Sequence, residues 1–155
     1  MYRLIGANHA LGGLPFSAQV FLRSLDGIRS RLAREAGVSG TELRALSRIA
    51  EESHITPAAL AEHLDLPQTA ADVVTNELSG RGLLLTTADP ADGPSFELTP
   101  TGHSLMEKVY LDFQGSITAA ADSLDDERRS VFDSALLKMA RKLDAAAGDA
   151  LPATN

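Results

Sequence analysis

Between Thr56 and Gly102 the placement of prolines and glycines leaves the chain few ways to fold. Thr56-Pro57 reads as a helix start: a hydroxyl that caps free N–H groups, then a residue whose fixed φ suits the first helical position. The helix it opens should turn Leu60, Ala61 and Leu64 inward. Asp65-Leu66-Pro67 then breaks it, because proline disfavours a helical residue before it. A second helix is expected from Pro67 to Ser79, with Ala70, Ala71, Val74 and Leu78 inward and Gly80-Arg81-Gly82 as its stop. Leu83 to Thr87 is apolar and β-branched over the length of a strand, and Ala88 to Pro94 is dense in turn residues. Ser95 to Leu98 alternates and serves as the returning strand. Thr99-Pro100 repeats the helix start and opens a long helix with Leu105, Met106, Val109, Phe113 and Ile117 inward.

That order (helix, tight turn, helix, strand, turn, strand, helix cap) is the order of a winged helix-turn-helix. The flanks extend it. Residues 1–14 read as an extended arm whose Leu4, Ile5 and Leu11 need a docking surface. From Pro15 or Ser17, Val20, Phe21, Leu25, Ile28 and Leu32 recur at helical steps up to Ala36, and Gly37 supplies a stop. Another helix opens near Ser39 to Thr41 with Leu43, Leu46, Ile49 and Ala50 on one face. A last helix begins around Ser123 to Asp126, where acidic residues suit the positive end of the helix dipole. It should turn Val131, Phe132, Leu136, Met139 and Leu143 inward, leaving a frayed tail after Gly148.

The expected fold class is mainly α with a small β-hairpin wing: a winged helix-turn-helix with long N- and C-terminal dimerisation helices. Residues 1–155 form a single domain, comprising an N-terminal arm and dimerisation helix over 1–37, the winged module over 38–99 and C-terminal dimerisation helices over 100–147. The terminal helices are amphipathic and the module is too small to cover both, so burial against a second copy is the economical solution.

Composition removes several functions. A hydrophobic fraction of 44% argues against disorder, and with aromatics at 5% the core must be built mainly of Leu, Ala and Val. The chain has no Cys, hence no thiolate nucleophile and no Cys-based zinc site, and a reducing cytoplasm is the expected location. No apolar run approaches the ~20 residues that span a bilayer, so no membrane role is expected. The four histidines (His9, His54, His63, His103) lack metal-ligand spacing, and His63 reads as solvent-facing. No catalytic constellation, metal or cofactor is implied. Asp125-Asp126-Glu127 is explained by the helix start, Asp89 and Asp92 by turn chemistry, and Arg128-Arg129 by a solvated face.

The run from Leu60 to Leu105 resembles the MarR family of bacterial transcription regulators. The likeness rests on Leu60-Ala61-Glu62, on Leu78 followed by Gly82-Leu83, on Asp89-Pro90 and Asp92 in the wing, and on the Leu98-Thr99-x-x-Gly102 exit. The preceding Gly37 to Ser53 looks like that family's second helix, and the resemblance covers roughly residues 15–147. It implies a homodimer bound to double-stranded DNA, with each recognition helix in a major groove and each wing near a minor groove. On this chain the DNA-contacting residues it implies are Gln68, Thr69, Asp72, Val73, Thr75, Asn76, Arg81 and Asp92. Gln68 and Asn76 suit adenine; Thr69 and Thr75 suit a phosphate or a thymine methyl. It also implies a small hydrophobic or aromatic ligand held where the dimer helices meet the module, by Phe16, Val20, Phe21, His54, His103, Met106, Tyr110 and Phe113. Those apolar side chains read more simply as plain dimer core.

Charge cuts across this resemblance. From Gly37 to Tyr110 four basic residues (Arg44, Arg48, Arg81, Lys108) face eleven acidic ones, an excess equal to the formal −7 of the whole chain. The family pattern places cations where this chain has Asp72-Val73, Thr86-Thr87 and Asp92-Gly93-Pro94. Each missing phosphate contact removes a counterion-release contribution, and an anionic module is repelled by DNA during encounter. Three readings follow. One is a MarR-like regulator helped by Arg23, Arg29, Arg31 or Arg34. Another is a winged-helix dimer that has lost DNA binding and serves as a small-molecule-binding protein or repurposed enzyme. The third is a plain interaction module.

Overall fold

Ser39, Thr56, Thr99 and Asp125 each cap a helix start with a side-chain oxygen. The computed structural model describes residues 13–149, so the arm residues Leu4, Ile5 and Leu11, together with His9 and the tail beyond Asp149, lie outside the described residues. Helix α1 (Gly13–Glu35) ends before Gly37, whose φ of +70° is the left-handed turn that glycine adopts without strain. Helix α2 (Gly40–Glu51) opens with a complete capping box. The Glu42 N–H donates to Ser39 Oγ at 3.1 Å while the Ser39 N–H donates to Glu42 Oε2 at 2.6 Å. Helix α3 (Pro57–Leu64) is capped by Thr56, which accepts from the Ala59 N–H, and stops at Asp65 in the left-handed region. Helix α4 (Gln68–Gly80) follows without a side-chain cap, the Ala70 and Ala71 N–H groups donating to the Pro67 carbonyl.

Strands β1 (Leu84–Asp89) and β2 (Gly93–Leu98) pair antiparallel from Leu84 with Leu98 to Asp89 with Gly93. This hairpin is longer than the sequence suggested, where the turn was expected to run from Ala88 to Pro94. The tip needs only Pro90, Ala91 and Asp92, because the Asp89 carboxylate accepts the Ala91 N–H at 2.7 Å and Gly93 (φ +76°) closes the turn. On its other side, β2 accepts a single bridge from the α2–α3 loop, the Phe96 N–H donating to the Ile55 carbonyl.

Helix α5 (Pro100–Ala120) leaves the wing through Thr99 and Gly102. Thr99 Oγ1 donates to the Gly82 carbonyl at 2.6 Å and accepts the Gly102 N–H at 3.0 Å, and the Thr99 N–H donates to the Leu83 carbonyl. One side chain thus caps α5 and holds the start of the wing against it. A short 3-10 turn (Ala121–Ser123) precedes helix α6 (Asp126–Asp149), whose first turn is capped by Asp125 through the Arg128 N–H. Among the described residues no helix is long and apolar enough to cross a membrane.

The chain divides into two units after Gln114. In the first, Leu46, Ile55, Leu60, Leu78 and Met106 are fully enclosed, joining α2, α3, α4 and α5 in one core with Phe96 and Leu98 from the wing. Burial of such side chains stabilises by roughly 2 kcal/mol each. In the second unit the apolar residues foreseen on α6 are exposed in the single chain, Val131 by 64% and Leu143 by 67%.

Gly102 is the tightest point of the first unit: a Cβ there would sit 2.1 Å from the Leu83 carbonyl oxygen, which is backbone and cannot swing aside. Gly102→Ala should therefore destabilise the fold by about 3 kcal/mol in a urea titration. A midpoint matching the unmodified chain would show that the wing and α5 separate freely.

Candidate functional site

Two surfaces concern function: the outer face of α4 with the hairpin tip, and a cleft on the first unit. On α4, Gln68, Thr69, Asp72, Val73 and Asn76 are exposed along one face, the helical repeat bringing them together as expected. Val73, 57% exposed, places an apolar side chain in the middle of that face. Gln68 Nε2 donates to Asp72 Oδ1 at 2.8 Å, so two of the expected reading residues are engaged with each other. Asp92 is exposed at the hairpin tip.

Two of the expected DNA contacts are elsewhere. Thr75 is only 5% exposed; it falls on the inward stripe between Ala71 and Leu78, and its hydroxyl donates to the Asp72 carbonyl. Arg81 is turned toward the α1–α2 junction. Its Nη2 donates to the Gly37 carbonyl at 2.8 Å and its Nη1 lies 3.6 Å from Glu42 Oε2. Arg81 is the sole Lys or Arg between Leu66 and Gly102, against five acidic residues. The face formed by α4 and the wing therefore has no lysine or arginine aimed outward. Glu42 does not add to its negative charge, being buried as a cap.

The cleft measures about 880 Å³ and is bounded by α1, α2, His63 of α3, and α5. Its apolar floor is Leu32, Leu43, Val109 and Phe113; its rim carries Arg29, Arg44, Arg48 and His63 together with Asp26 and Glu51. Arg44 donates to the His63 carbonyl at 3.0 Å, and Arg48 pairs with Glu52. Arg48 Nε is buried with no hydrogen-bond partner. Tyr110 lines the cleft with its hydroxyl 3.5 Å from the Ser47 carbonyl, and burial, reinforced by Glu51, pushes that phenol above its ordinary pKa.

Of the eight ligand residues expected, Tyr110 and Phe113 line this cleft. Met106 does not: at 2% exposure it is core. His54, in a left-handed turn, forms a 2.8 Å pair with Glu97 of the wing and is away from the cleft lining. His103 is exposed on the first turn of α5, and Phe16, Val20 and Phe21 lie on the early part of α1, outside the lining. The residues missed are Arg44, Arg48 and His63. Arg44 and Arg48 stand at i, i+4 on the polar side of an amphipathic helix, a pattern indistinguishable in sequence from a solvated face. Among the described residues no group of three or more His, Asp or Glu side chains is placed to hold a metal ion.

Comparison with known proteins places this geometry. The MarR family model matches residues 36–93, the segment from the end of α1 to the start of β2. The match covers the helix-turn-helix and the first strand of the wing, less than half of the chain. Solved structures of that family share the fold at low sequence identity. A MarR protein from Peptoclostridium difficile is 19% identical, with 92% of this chain and 97% of that chain covered, at a TM-score of 0.71. A MarR-family regulator from Silicibacter pomeroyi is 18% identical over 81% and 86%, with a TM-score of 0.65. A MepR variant from S. aureus bound to an oligodeoxyribonucleotide is 15% identical over 85% and 99%, with a TM-score of 0.61. No curated protein matches the chain by sequence.

Burial lowers the pKa of His63, helped by Arg48 and Arg44 and opposed by Glu51. The folded chain thus holds this imidazole neutral more firmly than the unfolded chain does. Its contribution to stability is complete above the ordinary value of 6.5 and is lost as pH falls below it toward the lowered folded value. An NMR titration of the His63 ring should give a midpoint below 6.5, and His63→Gln should reduce the fall in Tm between pH 7 and 5.5. A midpoint at or above 6.5 would contradict the desolvated, cation-flanked environment.

Proposed function

We propose that the protein is a dimeric MarR-type transcription regulator that contacts duplex DNA through α4 and responds to a small aromatic or hydrophobic ligand in the cleft. The observation that carries this reading is the match of the helix–turn–helix and wing to the MarR family, in a fold shared with a relative bound to an oligodeoxyribonucleotide. Gln68, Thr69 and Asn76 offer uncharged donors and acceptors on the exposed face of α4, suited to base edges rather than phosphates. The exposed apolar residues of α1 and of α6, Leu14, Phe16 and Leu22 on one and Val131, Leu136 and Leu143 on the other, supply surface for a second copy to bury. In the cleft, the apolar floor suits a ring and the cationic rim of Arg29, Arg44 and Arg48 suits an acceptor group on it. No catalytic step is assigned.

A second reading has its own support. With Arg81 tied to Gly37 and Glu42, the α4 and wing surface has no lysine or arginine left to neutralise phosphate. On that reading the dimer keeps the ligand site and has lost DNA.

Sedimentation equilibrium should give twice the chain mass, and a single-chain mass would remove the dimer. Calorimetry should show 2-naphthoate binding in preference to 2-naphthylmethanol, with Arg48→Gln weakening the carboxylate about tenfold. Equal affinity for acid and alcohol would show that the cationic rim plays no part. With duplexes from the chain's own upstream region, Asn76→Ala should lower the ratio of specific to non-specific affinity roughly tenfold. Failure to select any duplex, with 2-naphthoate still bound, would establish the second reading.

A further inference from the structure

Arg81 ends the recognition helix, yet its side chain belongs to a different part of the molecule. The guanidinium takes hold of the segment joining α1 to α2 at both ends, donating to the Gly37 carbonyl and pairing with the Glu42 carboxylate. Glu42 is not a free surface acid: its side chain is 10% exposed and its Oε2 already accepts the Ser39 N–H. A carboxylate fixed in that way offers a rigid anchor, and the planar fork of arginine matches two acceptors at once.

The gripped segment is also a wall of the cleft. Gly40 and Thr41, between Gly37 and Glu42, line it, as do Asp26, Arg29, Ser30 and Leu32 from the end of α1. On the other side of Arg81 the chain turns at once into the wing: Gly82 has a φ of +70°, its carbonyl accepts the Thr99 hydroxyl, and the Leu83 N–H donates to the Leu78 carbonyl. Arg81 is therefore the residue at which the end of α4, the start of the wing and the cleft wall are joined by specific bonds.

We infer that Arg81 is a positioning residue that couples the cleft to the recognition helix, so that filling the cleft alters the last turn of α4 through the Gly37–Glu42 segment. This rests on the ligand-binding reading of the cleft proposed above. The coupling is reciprocal: whatever fixes α4 must change affinity at the cleft by the same factor. The tether also accounts for an arginine that is spent on the protein in a region otherwise without cations.

The test is hydrogen exchange on the full chain, following the amides of residues 78–83. Saturating 2-naphthoate should change their exchange rates about fivefold in the unmodified protein. Arg81→Gln should still bind 2-naphthoate, its affinity changed by no more than the coupling factor, and lose that response. Glu42→Gln, which keeps a capping-box side chain but removes the charge facing Arg81, should lose most of it. A ligand-free arm uses Ser30→Trp to place an indole in the cleft; it should reproduce the change at 78–83, and Arg81→Gln in that background should abolish it. If 2-naphthoate fails to bind, the ligand class is wrong while the tryptophan arm still decides the tether. The inference is overturned if Arg81→Gln leaves the response at 78–83 intact, or if neither 2-naphthoate when bound nor the Ser30→Trp side chain changes exchange there.

Discussion

The first unit of this protein depends on a single close backbone approach, the carbonyl of Leu83 lying against the α-carbon of Gly102. Thr99 fixes it by bonding back to Gly82 and forward to Gly102. That contact sets where the wing starts relative to α5. Since α4 enters the wing through the same turn at Arg81 and Gly82, it also sets the end of the recognition helix. Met106 and Val109 then extend α5 into the core, and Val109, Tyr110 and Phe113 reach the cleft. A substitution at Gly102 would accordingly be felt at the wing, the recognition helix and the cleft together.

Fold and surface charge answer to different forces, which is how a winged helix-turn-helix can carry an acidic face. The core of Leu46, Ile55, Leu60, Leu78 and Met106 holds the module together whatever stands on the outside of α4. DNA affinity, by contrast, is dominated by phosphate neutralisation and the counterions it releases. The exposed Asp72, Val73 and Pro94 leave that core untouched while offering no positive charge to a phosphate. The exposed face of α4 carries Gln68, Thr69, Val73 and Asn76 around the anionic Asp72, a surface poorly equipped to attract a polyanion.

Much of this architecture was legible in the sequence because the local signals were chemical and redundant. Thr56-Pro57, Thr99-Pro100 and Gly37 each fixed a boundary, and the Leu98-Thr99-x-x-Gly102 spacing proved to be a cap and a close approach in one. The hairpin was underestimated because an Asx turn at Asp89 and a left-handed Gly93 close a tighter loop than composition suggests. The sites were harder. Thr75 is polar yet belongs to the inward stripe, with its hydroxyl satisfied by its own helix. Arg81 contacts residues 44 positions away, and Arg44 and Arg48 take their place in the cleft only through tertiary packing. Side-chain destinations of this kind are set by the folded neighbourhood, which periodicity does not encode.

A face of α4 and the wing without outward lysine or arginine should make almost no phosphate contacts. This is tested most directly by the salt dependence of association with duplex DNA, measured by fluorescence anisotropy as log affinity against log NaCl concentration. The slope falls by about 0.9 for each phosphate neutralised, so the acidic face predicts a magnitude of no more than about 2 per dimer, at weak affinity. Tight binding with a slope of roughly −6 or steeper would contradict it, and would mean that cations from outside α4 and the wing are brought to the DNA.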